Sequence, residues 1–289
     1  MKFGTYFAYW EQEWEADYLK YCQKAAELGF DVLEVSAAGI VEMNDQELEA
    51  LRKTAAQYHL TLTSCIGLPK EMDLASEDEA TRKRGLAFMK KILDALHKAD
   101  IHLIGGIIYA YWPADYSLPV HKEAARRYSI ESVRELADYA KPYDITLGLE
   151  TVNRFEHFLI NDAAEATAFV QDIGKDNVKV MLDAFHMNIE EDSFGDAIRS
   201  TGKYLGHFHI GECNRKVPGK GRMPWDEIGQ ALRDIDYQGC VVMEPFVRPG
   251  GTIGKEIRVW RDLSGGADEA KLDEDIKGAL EFVRSTFEK

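Results

Sequence analysis

Residues 178–183 read VKVMLD, a short apolar run that ends on a carboxylate and is followed by a loop. Three other runs end in the same way on Glu or His: LGLE at 147–150, YLGHFH at 204–209 and GCVVME at 239–244. Each gap between them is long enough for one helix and one strand. The pattern predicts parallel strands joined by crossover helices, with the four polar residues at one shared end of the sheet.

The first half of the chain repeats this alternation of strand and helix signals. Four earlier runs have strand character and lie at Phe3–Tyr9, Asp31–Ser36, Leu60–Ile66 and Ile101–Ile107. Eight βα units predict a (β/α)₈ TIM barrel, a single domain spanning residues 1–289, with its active site at the C-terminal ends of the strands. An open doubly wound sheet is the alternative. Eight units favour the barrel, because eight parallel strands are the number that closes it.

Capping residues and spacing predict where the helices begin and end. Gly29 is expected to end the first helix, and Asn44 with Glu47 to start a later one through a capping box. Ser76 with Glu79 predicts a second capping box. Further helices are expected from about His121 to Pro142, from near Asp162, within Glu190–Thr201, from near Pro224 and along Leu272–Phe287.

Composition narrows the possible partners. Hydrophobic residues make up 45% of the chain and charged residues 29%, as in ordinary globular proteins. A net charge of −15 argues against nonspecific binding to nucleic acid or to an anionic membrane, and no apolar run approaches the roughly 20 residues that span a bilayer. The N-terminal segment has no apolar signal-peptide core, and the four cysteines contain no C-x-x-C pair. We therefore expect a cytoplasmic protein with reduced thiols and neither nucleic acid nor membrane as a partner.

The four polar strand endings form a candidate metal site. They are Glu150, Asp183, His209 and Glu244. Three carboxylates and one imidazole suit Mn²⁺, Co²⁺ or Mg²⁺ better than a structural zinc ion, which prefers Cys and His. Any one of these residues alone could be a helix cap or a solvated strand end, but four in succession favour one divalent metal ion.

Two more polar residues fall on predicted strands. His207 lies two positions before His209 and faces the same side, so it is predicted to be a hydrogen-bonded residue of the barrel interior rather than a fifth ligand. Glu34 in the second strand would be buried and would need partners. Its role stays open between structure and support of the site.

Longer motifs add a resemblance to a known family. They cover nearly the whole chain and are YW at 9–10 with Trp14, IGG at 104–106, YWP at 111–113, VNRFE at 152–156, LDAFHMNIEED at 182–192, GHFHIGE at 206–212, NRKVPGKGRMP at 214–224, MEPF at 243–246 and VWRDLSGGA at 259–267. With these motifs the sequence resembles the D-tagatose 3-epimerase/D-allulose (D-psicose) 3-epimerase family of ketose epimerases.

The resemblance implies roles for the site residues. It implies that Mn²⁺ or Co²⁺ is held by the four strand endings and that Glu150 and Glu244 double as the acid/base pair. The oxygens at the carbonyl end of the sugar would be held by Glu156, His186 and Arg215. The apolar part of the pocket would be shaped by Tyr6, Trp14, Trp112 and Phe246. Family members are dimers or tetramers, so a homodimer or homotetramer is expected.

The sequence departs from the usual family pattern next to several site residues. The departures are Thr151–Val152, Ala184 and Ile210. None replaces an expected ligand, so they bear on which ketose is preferred rather than on the chemistry.

Epimerisation explains why two carboxylates and a metal belong together. The proton on carbon 3 of a ketose is far less acidic than a carboxylic acid, and a metal on the neighbouring oxygens stabilises the enediolate that forms when it leaves. One carboxylate removes the proton and the other returns a proton to the opposite face. The predicted function is a metal-dependent 3-epimerase of free ketohexoses, of the D-fructose/D-allulose and D-tagatose/D-sorbose type.

Three other functions fit the sequence less well. An aldose–ketose isomerase of the same barrel class typically uses a second metal and a catalytic lysine, and no lysine ends a strand here. An abasic-site endonuclease would need more histidine ligands and a basic face, and a non-catalytic sugar-binding protein has no need of two facing carboxylates. The basic run from Arg215 to Arg222 could clamp a phosphate, but no phosphate-binding P-loop motif accompanies it, and a free sugar is favoured.

Overall fold

The protein is a closed barrel of eight parallel strands in sequential order, described by a computed structural model of residues 1–289. This confirms the predicted TIM barrel and rules out the open doubly wound sheet. The strands are β1 Lys2–Tyr6, β2 Val32–Ser36, β3 Thr61–Cys65, β4 Leu103–Gly105, β5 Thr146–Glu150, β6 Val178–Asp183, β7 Leu205–Ile210 and β8 Cys240–Met243.

Helices connect the strands and surround the barrel. They are α1 Tyr18–Leu28, α2 Ala37–Glu42, α3 Asp45–Gln57, α4 Glu79–Lys98, α5 Lys122–Ala140, α6 Ala163–Ile173, α7 Ala184–Glu190, α8 Phe194–Thr201, α9 Trp225–Asp234, α10 Gly251–Glu256 and α11 Glu269–Phe287. The predicted C-terminal helix is α11, whose apolar stripe is buried. None of the helices is both long and apolar enough to cross a membrane.

Most predicted helix ends are found where the capping residues place them. Gly29 ends α1 in the left-handed conformation at φ 92°, and Asn44 with Glu47 forms the capping box of α3. The capping box predicted at Ser76 is wrong. Asp78 caps α4 instead, because its carboxylate accepts the N–H groups of Ala80 and Thr81 at 3.1 and 3.2 Å.

The strand ends that carry the polar residues are placed as predicted or one residue away. Asp183 ends β6 and Glu150 ends β5, while His209 lies one residue before the end of β7. Glu244 follows β8, but its N–H still bonds the carbonyl of Ile210 at 2.9 Å and so continues the ladder. All four side chains therefore sit at the same mouth of the barrel.

Strands β1 and β4 are shorter than the sequence predicts. Phe7–Tyr9 forms a 3₁₀ turn after β1 rather than part of the strand. After β4, Gly106 adopts φ 104°, and a Cβ there would lie 2.2 Å from the carbonyl oxygen of Ile66. Only glycine fits at this position, so the regular strand ends there, although the Gly106 carbonyl still accepts the N–H of Glu150 at 3.1 Å.

Candidate active site

A cavity of about 230 Å³ opens at the C-terminal mouth of the barrel. Its lining includes nine of the eleven residues predicted for the site: Tyr6, Trp14, Trp112, Glu150, Glu156, His186, Arg215, Glu244 and Phe246. The other two, Asp183 and His209, are fully buried beside this lining. The structure thus brings all the predicted residues to one place.

The floor of the cavity is a buried cluster of carboxylates and imidazole. Donor atoms of Asp183, His209 and Glu244 lie within 4.8 Å of one another, as do those of Glu150, Asp183 and His186. The Nδ1 atom of His209 is 3.6 Å from Glu244 Oε1 and has no hydrogen-bond partner. A buried nitrogen without a partner, surrounded by carboxylate oxygens, fits a divalent cation.

The crowded negative charge of this cluster shifts the pKa of Glu150. Burial raises the pKa of Glu150 well above its usual value, and the nearby Glu244 raises it further. Arg215 offsets part of this charge, since its Nη1 lies 3.2 Å from Asp183 Oδ2 and 2.7 Å from Glu244 Oε2. The Arg215 guanidinium also stacks over the Phe185 ring, 3.7 Å from its centroid.

A buried carboxylate shapes the loop that carries Arg215. Glu212 is fully buried and accepts hydrogen bonds from the N–H of Gly219 at 2.9 Å, the N–H of Met223 at 3.2 Å and the indole of Trp225 at 2.9 Å. Arg215 itself adopts φ 64°, and its N–H bonds the Glu212 carbonyl at 2.8 Å. The basic run is therefore part of a tightly bonded turn that aims Arg215 into the cavity.

His186 faces the same carboxylates from the first turn of α7. Its Nε2 lies 3.6 Å from Glu150 Oε1 and 3.7 Å from Asp183 Oδ2. Burial lowers the pKa of His186 to about 3, so the imidazole is neutral at physiological pH. The helix starts here because Asp183 Oδ1 accepts the N–H of Phe185 at 2.9 Å.

Aromatic side chains form the outer wall. Tyr6 packs edge-on against Phe246, with ring centroids 6.2 Å apart. The Trp112 indole donates to Glu156 Oε2 at 2.8 Å, which holds this carboxylate at the cavity edge. The Trp14 indole donates to Glu256 Oε2 at 2.6 Å. Both indoles are therefore held by carboxylates that line the cavity with them.

Comparison with known proteins identifies the family. Residues 22–263 match the model of the xylose isomerase-like TIM barrel family. The chain is 57% identical over 284 residues to a D-psicose 3-epimerase of Agrobacterium fabrum, with 98% of each chain covered. It is 54% identical over 288 residues to a D-psicose 3-epimerase of Ruminiclostridium cellulolyticum, with 100% of this chain and 98% of that one covered. It belongs to the ketose 3-epimerases of this barrel family.

A solved structure also supports the assignment of this epimerase to the family. A crystal structure of a D-psicose 3-epimerase in the presence of D-fructose matches with a TM-score of 0.98 and 56% identity, and all of both chains is covered. The family resemblance of the sequence motifs is confirmed, and the protein is an isomerase of the epimerase type.

The epimerase also has residues at the site that sequence reasoning missed or left open. Glu256 lines the cavity but lies on α10, away from any strand end, so no strand pattern indicates it. Glu34 is fully buried and lies 2.5 Å from His209 Nε2 and 2.7 Å from His207 Nε2. His207 therefore has the hydrogen-bonded interior position predicted for it. In the sequence, the only indication of Glu34 is that a carboxylate falls on the second predicted strand, where it would be buried.

Proposed function

We propose that this epimerase interconverts free ketohexoses at carbon 3, D-fructose with D-allulose and D-tagatose with D-sorbose, with the help of one divalent metal ion. One observation carries the proposal. Glu150 from β5 and Glu244 after β8 line one cavity, beside the unpartnered Nδ1 of His209. Support for the substrate class comes from the relatives, which are named for D-psicose, and from neighbouring structures described with D-fructose and D-tagatose.

The residues that would hold the ion are Glu150, Asp183, His209 and Glu244. The donor set suits Mn²⁺, Co²⁺ or Mg²⁺, and the family resemblance favours Mn²⁺ or Co²⁺ among them. When bound, such an ion stabilises the negative charge that develops on the sugar oxygens as the C3 proton leaves.

Proton transfer is assigned to the two glutamates. Glu150 and Glu244 come from strands separated by β6 and β7, so they approach the cavity from different points of the rim. In one direction of the reaction one of them removes the C3 proton and the other delivers a proton to the opposite face, and in the other direction the roles reverse. This arrangement inverts carbon 3 without turning the sugar over.

Other side chains orient the sugar. His186 and Arg215 present N–H donors to the carbonyl end, and Glu156 accepts hydroxyl hydrogens there. The apolar wall of Tyr6, Trp14, Trp112 and Phe246 excludes water and makes few demands on hydroxyl stereochemistry beyond carbon 3. A wall of this kind supports activity on several ketohexoses.

Two further inferences concern the whole chain. Residues 1–289 act as a single domain, and the family resemblance supports a homodimer or homotetramer. Trp260, which is 73% exposed, is apolar surface that a subunit interface would cover.

The experiment is a panel of ketoses in D₂O with Mn²⁺ or Co²⁺, followed by product chromatography and NMR. The expected result is the C3 epimer of each ketohexose with deuterium at C3. An aldose product without solvent deuterium would point to the hydride-shift isomerase instead. Turnover of fructose 6-phosphate in preference to D-fructose would contradict a free-sugar substrate.

A further inference from the structure

We propose that Glu34 is a positioning residue that fixes the tautomer and orientation of His209, so that the Nδ1 lone pair of His209 faces the proposed metal ion. This inference rests on the proposed function, because it needs His209 to be a ligand. It gives a task to a carboxylate that lies on β2, in the half of the barrel that supplies none of the proposed ligands.

The hydrogen bonds of Glu34 carry the argument. Its Oε1 lies 2.5 Å from His209 Nε2. Its Oε2 lies 2.7 Å from His207 Nε2 and accepts the Thr63 hydroxyl at 2.8 Å. An ionised carboxylate only accepts hydrogen bonds, so both Nε2 atoms must carry their hydrogens. A neutral His209 with its hydrogen on Nε2 has its lone pair on Nδ1.

The other ring nitrogen of His209 supports the same assignment. His209 Nδ1 has no hydrogen-bond partner, although it is buried 3.6 Å from Glu244 Oε1. One side of the ring is therefore bonded to Glu34, while the other side faces the carboxylates of the cavity floor. This is the arrangement in which a carboxylate holds a metal-binding imidazole from behind.

The same three side chains could also be taken for a cation site of their own. Donor atoms of Glu34, His207 and His209 lie within 4.8 Å of one another. Their facing atoms are already used on each other at hydrogen-bond distances, and all three residues are 0% exposed. Hydrogen bonding accounts for every one of these contacts, and His209 keeps its second nitrogen for the cavity.

The variant Glu34→Gln tests this assignment. An amide keeps one acceptor oxygen but presents an NH₂ group to the second imidazole, which forces one ring to move its hydrogen to Nδ1 or to rotate. Loss of such a supporting partner typically weakens metal binding by about 10–100-fold. We expect a loss of this size in calorimetric titration of the metal-free protein with Mn²⁺ or Co²⁺, with one ion bound per chain in both proteins.

Thr63→Val is the matched control. It removes the third hydrogen-bond donor to Glu34 and leaves both imidazole bonds in place. Its metal affinity should stay within about twofold of the wild type, whereas the urea concentration at its unfolding midpoint without metal should fall, because one buried hydrogen bond is lost. Equal loss of affinity in Thr63→Val and Glu34→Gln would overturn the proposal, because a general loosening would then explain both.

A measurement on the unchanged protein covers the case in which Glu34→Gln does not fold. The proton NMR spectrum of the Co²⁺-loaded wild type should contain one strongly shifted ring N–H from a bound imidazole, which disappears in D₂O. Absence of that signal, wild-type affinity in a folded Glu34→Gln, or a second ion lost on this substitution would each overturn the proposal. A wild type that binds neither Mn²⁺ nor Co²⁺ would contradict the proposed function itself and remove the basis of this inference.

Discussion

The backbone N–H of Asn153 donates to Nδ1 of His186 over 3.2 Å, and Asn153 Nδ2 lies 2.8 Å from the same nitrogen. A backbone N–H can only donate, so Nδ1 of His186 carries a lone pair. The ring hydrogen is then on Nε2, which faces Glu150 and the cavity. His186 is thereby set up as a hydrogen-bond donor to a sugar oxygen.

Replacement of Asn153 by Asp should weaken this preference. A carboxylate beside Nδ1 favours a ring hydrogen on that side, in competition with the backbone N–H, and in that tautomer the group facing the sugar is an acceptor. We expect kcat/KM to fall by about 10–100-fold, mostly through KM, in line with about 1–3 kcal/mol for a buried polar group left without its partner. Asn153→Ala keeps the backbone donor and should lose less. Unchanged kinetics in Asn153→Asp would show that the tautomer of His186 does not matter.

The two-glutamate scheme predicts that replacement of either glutamate lowers kcat to a similar extent. Glu150→Gln and Glu244→Gln should each lower kcat by at least about 10²–10⁴-fold, the usual contribution of a positioned acid or base, while circular dichroism stays unchanged. Deuterium exchange at C3 in D₂O should fall in parallel. Glu281→Gln, which alters an exposed carboxylate on α11, is the control and should keep full activity. Normal turnover in either of the first two variants contradicts the scheme.

Metal removal should change stability as well as activity. After treatment with EDTA we expect no turnover and recovery on addition of Mn²⁺ or Co²⁺. A ligand at 100 times its Kd stabilises the native state by about 2.7 kcal/mol, which corresponds to a rise in Tm of about 4 °C for a chain of this size. Calorimetry with and without the metal measures it. Full activity with EDTA present would remove the metal from the proposal.

His157 should make the protein sensitive to mild acid. It is 1% exposed, and burial lowers its pKa to about 4, whereas the unfolded chain has a pKa near 6.5. Between these values the unfolded chain binds the additional proton, so this residue makes stability fall as the pH drops from about 6.5 to 4, by up to about 1.4 kcal/mol per pH unit.

Urea unfolding across this pH range tests the role of His157. The variant His157→Gln removes the titrating ring, so its stability should depend less steeply on pH than that of the wild type. His121→Gln, which changes an exposed histidine, serves as the control and should follow the wild type. Parallel curves for His157→Gln and the wild type would contradict the expectation.

The sequence predicts the barrel and its polar mouth well because both depend on short-range patterns. Apolar runs ending on Glu, Asp or His translate directly into strand ends, and Val178–Asp183 matches β6 in full. Tertiary contacts determine the structure of the segments for which the pattern is misleading. Phe7–Tyr9 is as apolar as a strand, yet it turns inward and is buried as a 3₁₀ turn.

Residues distant in sequence are harder to foresee. The helix α7 begins directly after Asp183, because that carboxylate caps it. No loop residues separate the strand from the helix, so the sequence pattern does not indicate a new element there. Glu34 and His209 are separated by 175 positions, and only the closed barrel brings them to hydrogen-bond distance. An alternating pattern can place both residues inside the barrel, but it cannot say that they touch.

Three of the four residues of the proposed wall come from a different part of the chain than the proposed reacting groups. The residues at the metal and at carbon 3 lie on β5 to β7 or directly after β8, as does Phe246, whereas Tyr6, Trp14 and Trp112 belong to β1 and to the loops after β1 and β4. Sugar preference can therefore drift while the reaction is preserved. Random mutagenesis confined to residues 1–112, with Glu34 held constant, is the economical route to new ketose substrates.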